Sequence, residues 1–208
     1  KEPNPMSYAK TVNRMTKPKV IHLCDVESND PDEVKRFQAV LSELNEAKKE
    51  KKIQYALGYS NFTFELWMIL HKSACNRVLT HKKQYLDLLN RAYGTNFLSL
   101  NQYKEKKEFA KCLKMLTLKD VCDAVLRADK LMATNERDKK AKARYKGFSY
   151  YTDNPSLTIW EPIRDILKEC RLLLKQLLLY IFIKWWEHSE NVGVNAVNHC
   201  GTFGRHSV

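Results

Sequence analysis

Two carboxylates in alternation, Asp25 and Glu27, follow directly on the apolar run Val20-Ile21-His22-Leu23-Cys24. In extended backbone, residues two apart point the same way, so both acids can converge on one cation. Hard oxygen donors of this kind select Mg²⁺ or Mn²⁺ over zinc. The plainer reading is that Asp25 caps a turn and Glu27 is solvated. Further on, Ser60 to Lys72 reads SNFTFELWMILHK, and it sets Glu65 and His71 inside an apolar, aromatic-rich run that should be buried. Burying charge costs several kcal/mol unless it is paired or metal-bound. On a helix the two residues lie about 120° apart, at ~100° per residue. Glu65 falls in the first turn, where the helix dipole favours a carboxylate. His71 can serve as proton donor, phosphate contact or hydrogen-bonded core residue.

A third group of residues suits polyanions. From Arg137 to Tyr151 the chain interleaves Lys139, Lys140, Lys142, Arg144 and Lys146 with Tyr145, Phe148, Tyr150 and Tyr151. Cations of this kind contact phosphates, together with Lys72, and exposed rings stack on unpaired bases. The alternative is that the rings pack the segment onto the body, which is favoured for at least two of them. The wider charge balance points the same way, with 36 Lys+Arg against 24 Asp+Glu, a net +12. Between Leu100 and Lys146 alone there are 14 basic and 7 acidic residues. Such a surface attracts nucleic acid or anionic lipid, or is simply a solvated helical face.

The elements that must position these groups begin with a strand at Val20–Cys24. Asp30 then suits an N-cap, Pro31 the first helical position, and Asp32 and Glu33 the positive helix end. Val34, Phe37, Val40, Leu41 and Leu44 make the apolar stripe of that helix. Ile53–Tyr59 reads as a second strand, so the order favours a parallel βαβ unit. Helices are predicted over Phe62–Lys72, over His81–Ala92 (ended by Gly94), and from a Ser99 cap through Met115. Two more open at the capping-box patterns Thr117–Asp120 and Thr158–Glu161. Asn135–Asn154 is predicted to be a loop. The expected fold is α/β: a partial βαβ unit over 1–60, a helical region over 61–170, and an apolar then irregular tail over 171–208.

Six cysteines without C-x-x-C pairing predict reduced thiols, a cytoplasmic setting and no structural zinc. The tail run Arg171–Trp186 is broken by Lys175, Gln176 and Lys184. It is shorter than the roughly 20 apolar residues that a membrane span needs. An interfacial anchor or an oligomer contact is one reading of it, an irregular end the other.

Taken together, the Val20–Glu27 segment, the FELWMILHK block, Tyr145–Tyr151 and Asn154–Leu157 resemble the RloB-like family of prokaryotic defence proteins, from about Val20 to Cys170. The resemblance implies a small Toprim-like sheet with an acidic D-x-D pair at a strand end; here Glu27 stands at the second position. It implies a nuclease or nuclease-like effector acting on nucleic acid. Asp25, Glu27 and Glu65 would hold Mg²⁺ or Mn²⁺, His71 would join them in catalysis, and a separate AAA- or ABC-type ATPase would be the partner. Toprim sites usually add a glutamate on an earlier strand, and none is recognisable before Val20. A complete sheet would draw strands from residues preceding Lys1. A non-catalytic nucleic-acid-binding or ATPase-regulating subunit is the alternative.

Overall fold

In the computed structural model, residues 19–51 and 54–173 are described. The apolar run forms strand β1, Lys19–Asp25. Helix α1, Pro31–Lys51, follows. Its start is the predicted one: the Asp32 N–H donates to Asp30 Oδ1 at 3.0 Å, and the proline takes a position whose N–H would have no partner. Phe37, Leu41, Leu44 and Ala47 form its buried stripe. Strand β2, Gln54–Asn61, runs parallel to β1, in register from Lys19↔Gln54 to Asp25↔Ser60. The parallel βαβ unit is therefore present.

Two later segments complete it. Residues predicted as a loop instead form a hairpin, β3 (Lys142–Tyr145) with β4 (Phe148–Tyr151). Its turn residues Lys146 and Gly147 both have positive φ, 48° and 84°, as a two-residue type I′ turn requires. The chain alternates about that turn. Ala143, Tyr145, Phe148 and Tyr150 face the core beside α1, while Arg144 and Ser149 face outward. A two-residue strand β5, Ser156–Leu157, pairs antiparallel with β2, giving the order β1-β2-β5. The predicted Thr158–Glu161 capping box does not form. The Thr158 hydroxyl instead donates to the Leu57 carbonyl (3.0 Å) and accepts the Tyr59 N–H (3.1 Å), extending the pairing along β2.

The helical half starts later than expected. Helix α2 is Glu65–Lys72, and every residue from Glu65 to His71 is buried. Such a helix must be enclosed on all sides. Packed against it are α3 (Tyr85–Tyr93), stopped by Gly94 at φ +62°, and the long helix Leu118–Arg137. The predicted Ser99–Met115 helix is two: α4 (Leu100–Lys104) and α5 (Lys106–Lys114), parted by extended backbone at Glu105. No apolar side chain lies between Tyr103 and Phe109 to hold that stretch, and the break lets their rings meet edge to face at 5.6 Å. Leu118–Arg137, here α6, opens with the expected reciprocal Thr117–Asp120 box. Helix α7 spans Trp160–Glu169.

The described residues up to Asp165 cluster as one compact unit and those from Ile166 as another. No described helix is long and apolar enough to cross a membrane. Nearly all of the apolar run Arg171–Trp186 and the tail after it lie outside the described residues, as do Lys1–Pro18.

Candidate functional site

Parallel pairing puts the carboxyl ends of β1 and β2 side by side, and there Asp25 and Ser60 are register partners. Open α/β sheets gather ligands at such strand ends. A cavity of about 450 Å³ opens here, lined by Asp25, Glu27, Glu33, Arg36, Ser60 and Phe64 among others. The Ser60 hydroxyl donates to Asp25 Oδ1 at 2.6 Å, and the Phe64 backbone N–H also bonds this carboxyl. Burial pushes the Asp25 pKa up to about 6 against those two hydrogen bonds, with the charges of Glu27 and Glu65 adding to the rise. A carboxyl that hydrogen bonds already hold, yet which ionises reluctantly, is suited to a cation.

Glu27 reaches the same cavity by a different route from the predicted one. The strand ends at Asp25, Val26 turns into the core, and Glu27 adopts φ +66°. The rule of alternation therefore does not bring the two acids together; a left-handed turn does. The turn is fixed by the Val26 N–H on the Ser60 carbonyl (3.0 Å) and the Glu27 N–H on the Phe62 carbonyl (2.9 Å). A non-glycine residue in this region costs about 1–2 kcal/mol. Such strain concentrates at functional sites. The Glu27 carboxylate lies 2.6 Å from Lys82 Nζ, with both side chains about half exposed. Glu27→Gly is accordingly expected to change stability by less than about 1 kcal/mol in urea denaturation, because relief of the left-handed strain is offset by glycine's larger unfolded-state entropy and the exposed ion pair it removes is worth little. Glu27→Ala, which keeps the strain, should be less stable than Glu27→Gly; the reverse order would show that the turn is not strained.

Glu65 is not in the cavity lining. Its buried carboxylate accepts from the Thr63 hydroxyl and pairs with Lys104 Nζ at 3.4 Å. It acts on Asp25 only through its charge. His71 is also placed elsewhere. Its Nδ1 lies 2.9 Å from the Trp67 carbonyl, its ring packs against the Trp67 ring at 4.7 Å, and burial lowers its pKa. Arg127 caps the same helix end, donating to the Leu70 and His71 carbonyls at 2.7 and 2.9 Å. This is the hydrogen-bonded core histidine of the sequence reading. Among the described residues, no group of three or more His, Cys, Asp or Glu side chains is arranged to hold a metal.

The predicted nucleic-acid contacts divide. Lys72 is 3.0 Å from the Asp120 carboxylate and donates to the Met115 carbonyl at 2.8 Å, tying α2 to the start of α6. Burial acts to raise the Asp120 pKa, but the Thr117 hydrogen bonds and the Lys72 ammonium outweigh it and hold the carboxyl at about 2. The stabilisation is thus present above about pH 4 and lost as pH falls towards 2. Lys72→Met is expected to cost about 1.5–3 kcal/mol at pH 7, with nucleic-acid affinity unchanged; melting and binding measured together check this.

Tyr150, expected to stack on bases, is buried instead, its ring 4.9 Å from Phe37 and 6.3 Å from Tyr59. Lys142 pairs with Glu136 and lies over the Tyr151 ring. Lys139, Lys140, Arg144 and Lys146 are on the surface, without an ion pair among the described residues. Ser60, Glu33, Arg36, Phe64 and Lys82 were not anticipated. Only Ser60 had a sequence signal, through strand register opposite Asp25.

Two comparisons return nothing: no curated protein and no solved structure matches the chain. A family model described as RloB-like protein matches residues 4–166.

Proposed function

The chain belongs to the RloB-like family, and from that premise we propose that it is a metal-dependent phosphodiesterase acting on nucleic acid in antiphage defence. The observation that carries this reading is the Asp25 carboxyl, its pKa raised to about 6, in a cavity at the ends of two parallel strands. Mg²⁺ typically keeps several waters and needs only one or two protein carboxylates. Asp25 and Glu27 fit that donor set, with Glu33 on the same wall. Bound there, Mg²⁺ or Mn²⁺ would supply an activated water and offset charge on the attacked phosphate. Ser60 and the Phe64 N–H orient Asp25, and Lys82 balances Glu27 until substrate arrives. Glu65 acts on the site through its charge, and His71 packs on Trp67 within α2.

A separate ATPase of AAA or ABC type, which the family resemblance implies, belongs to the proposal; the given sequence carries no phosphate-binding glycine loop. A reducing cytoplasm suits six cysteines with no C-x-x-C pairing among them.

Two observations favour a second reading, a nucleic-acid-binding or ATPase-regulating subunit without catalysis. The acids are not assembled as three around one point, and Glu27 is already paired. A cleavage assay with Mg²⁺ and Mn²⁺ on single- and double-stranded DNA, RNA and tRNA, run beside Asp25→Asn, separates the two. Cleavage that depends on the metal and on Asp25 is the expected result. Binding that persists in EDTA, with no cleavage under any condition, would establish the second reading.

A further inference from the structure

The cavity at Asp25 continues beyond the acids. Glu27 and Glu33 also line a second cavity of about 340 Å³, walled by Thr80, His81 and Lys82. That one shares Ser28, Asp30, Phe62 and Thr80 with a third, about 510 Å³, which reaches Lys140 just before β3. Cavities that share lining residues adjoin one another, so the three lie in a row along one face of the site. A groove that extends well past the acids suits a chain-like substrate better than a small phosphoester.

At the Asp25 end two large apolar side chains face water: Phe64, 38% exposed, and Leu23, 56% exposed, both on the cavity wall. The Phe64 backbone N–H bonds the Asp25 carboxyl, and Phe64 and Asp25 line the same cavity. Bases in a duplex already have both faces covered, whereas an unpaired base can stack on a protein ring. Lys82 stands past Glu27, and its half-exposed ion pair is weak enough to exchange for a phosphate. The groove also carries Asp25, Glu27, Asp30, Glu33 and Asp153 against Arg36, Lys82 and Lys140. A polyanion therefore enters it only when a divalent cation offsets those acids.

We propose that this groove binds a single unpaired strand of nucleic acid, with Phe64 stacking on the base beside Asp25 and Lys82 contacting a neighbouring phosphate. The proposal rests on the phosphodiesterase reading of Asp25 and adds to it the strandedness of the substrate and two specificity residues. It is distinct from the basic surface around Arg144, which has no need of a divalent ion.

The test is fluorescence anisotropy of the full chain with Ca²⁺ in place of Mg²⁺. The probes are labelled single-stranded DNA, single-stranded RNA and a blunt duplex. Phe64→Ala is expected to weaken binding of a single strand about tenfold while duplex affinity stays unchanged; comparison of the DNA and RNA arms says which strand is preferred. Phe64→Trp should bind like the parent, and Phe64→Leu, which keeps the bulk without the ring, should bind like Phe64→Ala. Lys82→Met should lower the salt slope by about one. EDTA should abolish the difference between Phe64 and its alanine variant. Melting curves show whether each variant is folded, and if alanine unfolds the chain the leucine variant replaces it. Phe64→Leu binding as tightly as the parent, or equal losses on strand and duplex, would overturn the proposal. An enzyme whose cleavage requires Asp25 but ignores Phe64 would overturn it alone and leave the phosphodiesterase reading intact.

Discussion

Asp25→Asn is expected to reduce metal-dependent cleavage at least 100-fold and, at the same time, to make the protein more stable. The first effect follows from removing the anionic oxygen that would bind the cation, while Asn keeps an acceptor for the Ser60 hydroxyl and the Phe64 N–H. The second follows from linkage. A carboxyl whose pKa rises on folding from its ordinary 3.8 to about 6 binds more protons folded than unfolded across that window. Stability therefore falls as pH climbs from about 4 to about 6 and stays lower above it. The deficit is roughly 2–3 kcal/mol once the group is ionised.

Urea denaturation of both proteins from pH 4 to 8 gives the check. The variant's advantage should be small at pH 4, grow to pH 6 and then level off. His71 contributes with the opposite sign, because burial lowers its pKa. It is common to both proteins, so it cancels in the difference. Mg²⁺ at pH 7 should raise the melting temperature of the parent and not of the variant. An advantage independent of pH would mean that Asp25 is not held reluctantly ionised.

Tyr150→Ala carries the second large effect, about 3–5 kcal/mol of stability as for other large aromatic truncations. The ring is buried between Phe37 of α1 and Tyr59 of β2 and joins the hairpin to the βαβ unit. Arg144→Ala, on the outward face of the same hairpin, should change stability by less than about 0.5 kcal/mol and weaken nucleic-acid binding in low salt. Chemical denaturation and salt-titrated binding on the pair give opposite patterns if the hairpin has one packed and one solvated face. Normal stability for Tyr150→Ala, with lost affinity, would restore the ring to the role of a base platform.

Much of this was legible along the chain. The Asp30–Pro31 start, the Thr117–Asp120 box and the Gly94 stop are local signals, and each is in place. The hairpin was missed because charge and aromatic content were weighed and the period of two around Lys146-Gly147 was not. The split at Glu105 was missed because capping residues mark where a helix begins and not where its packing lapses.

The sequence by itself determined the strand–helix–strand order, the burial of the run from Glu65 to Leu70, and the placing of two acids at the end of a core strand. These follow from periodicity, caps and hydrophobicity, which act between neighbours within a few residues. Only the tertiary structure decided what those acids are. Ser60, 35 residues from Asp25, and Lys82, 55 residues from Glu27, supply their partners. Enclosure by β2 and the start of α2 sets the ionisation of Asp25, while Glu65 is drawn away to Thr63 and Lys104. A carboxylate's chemistry depends on desolvation and on nearby charge, and both come from residues that are close only after the chain has folded.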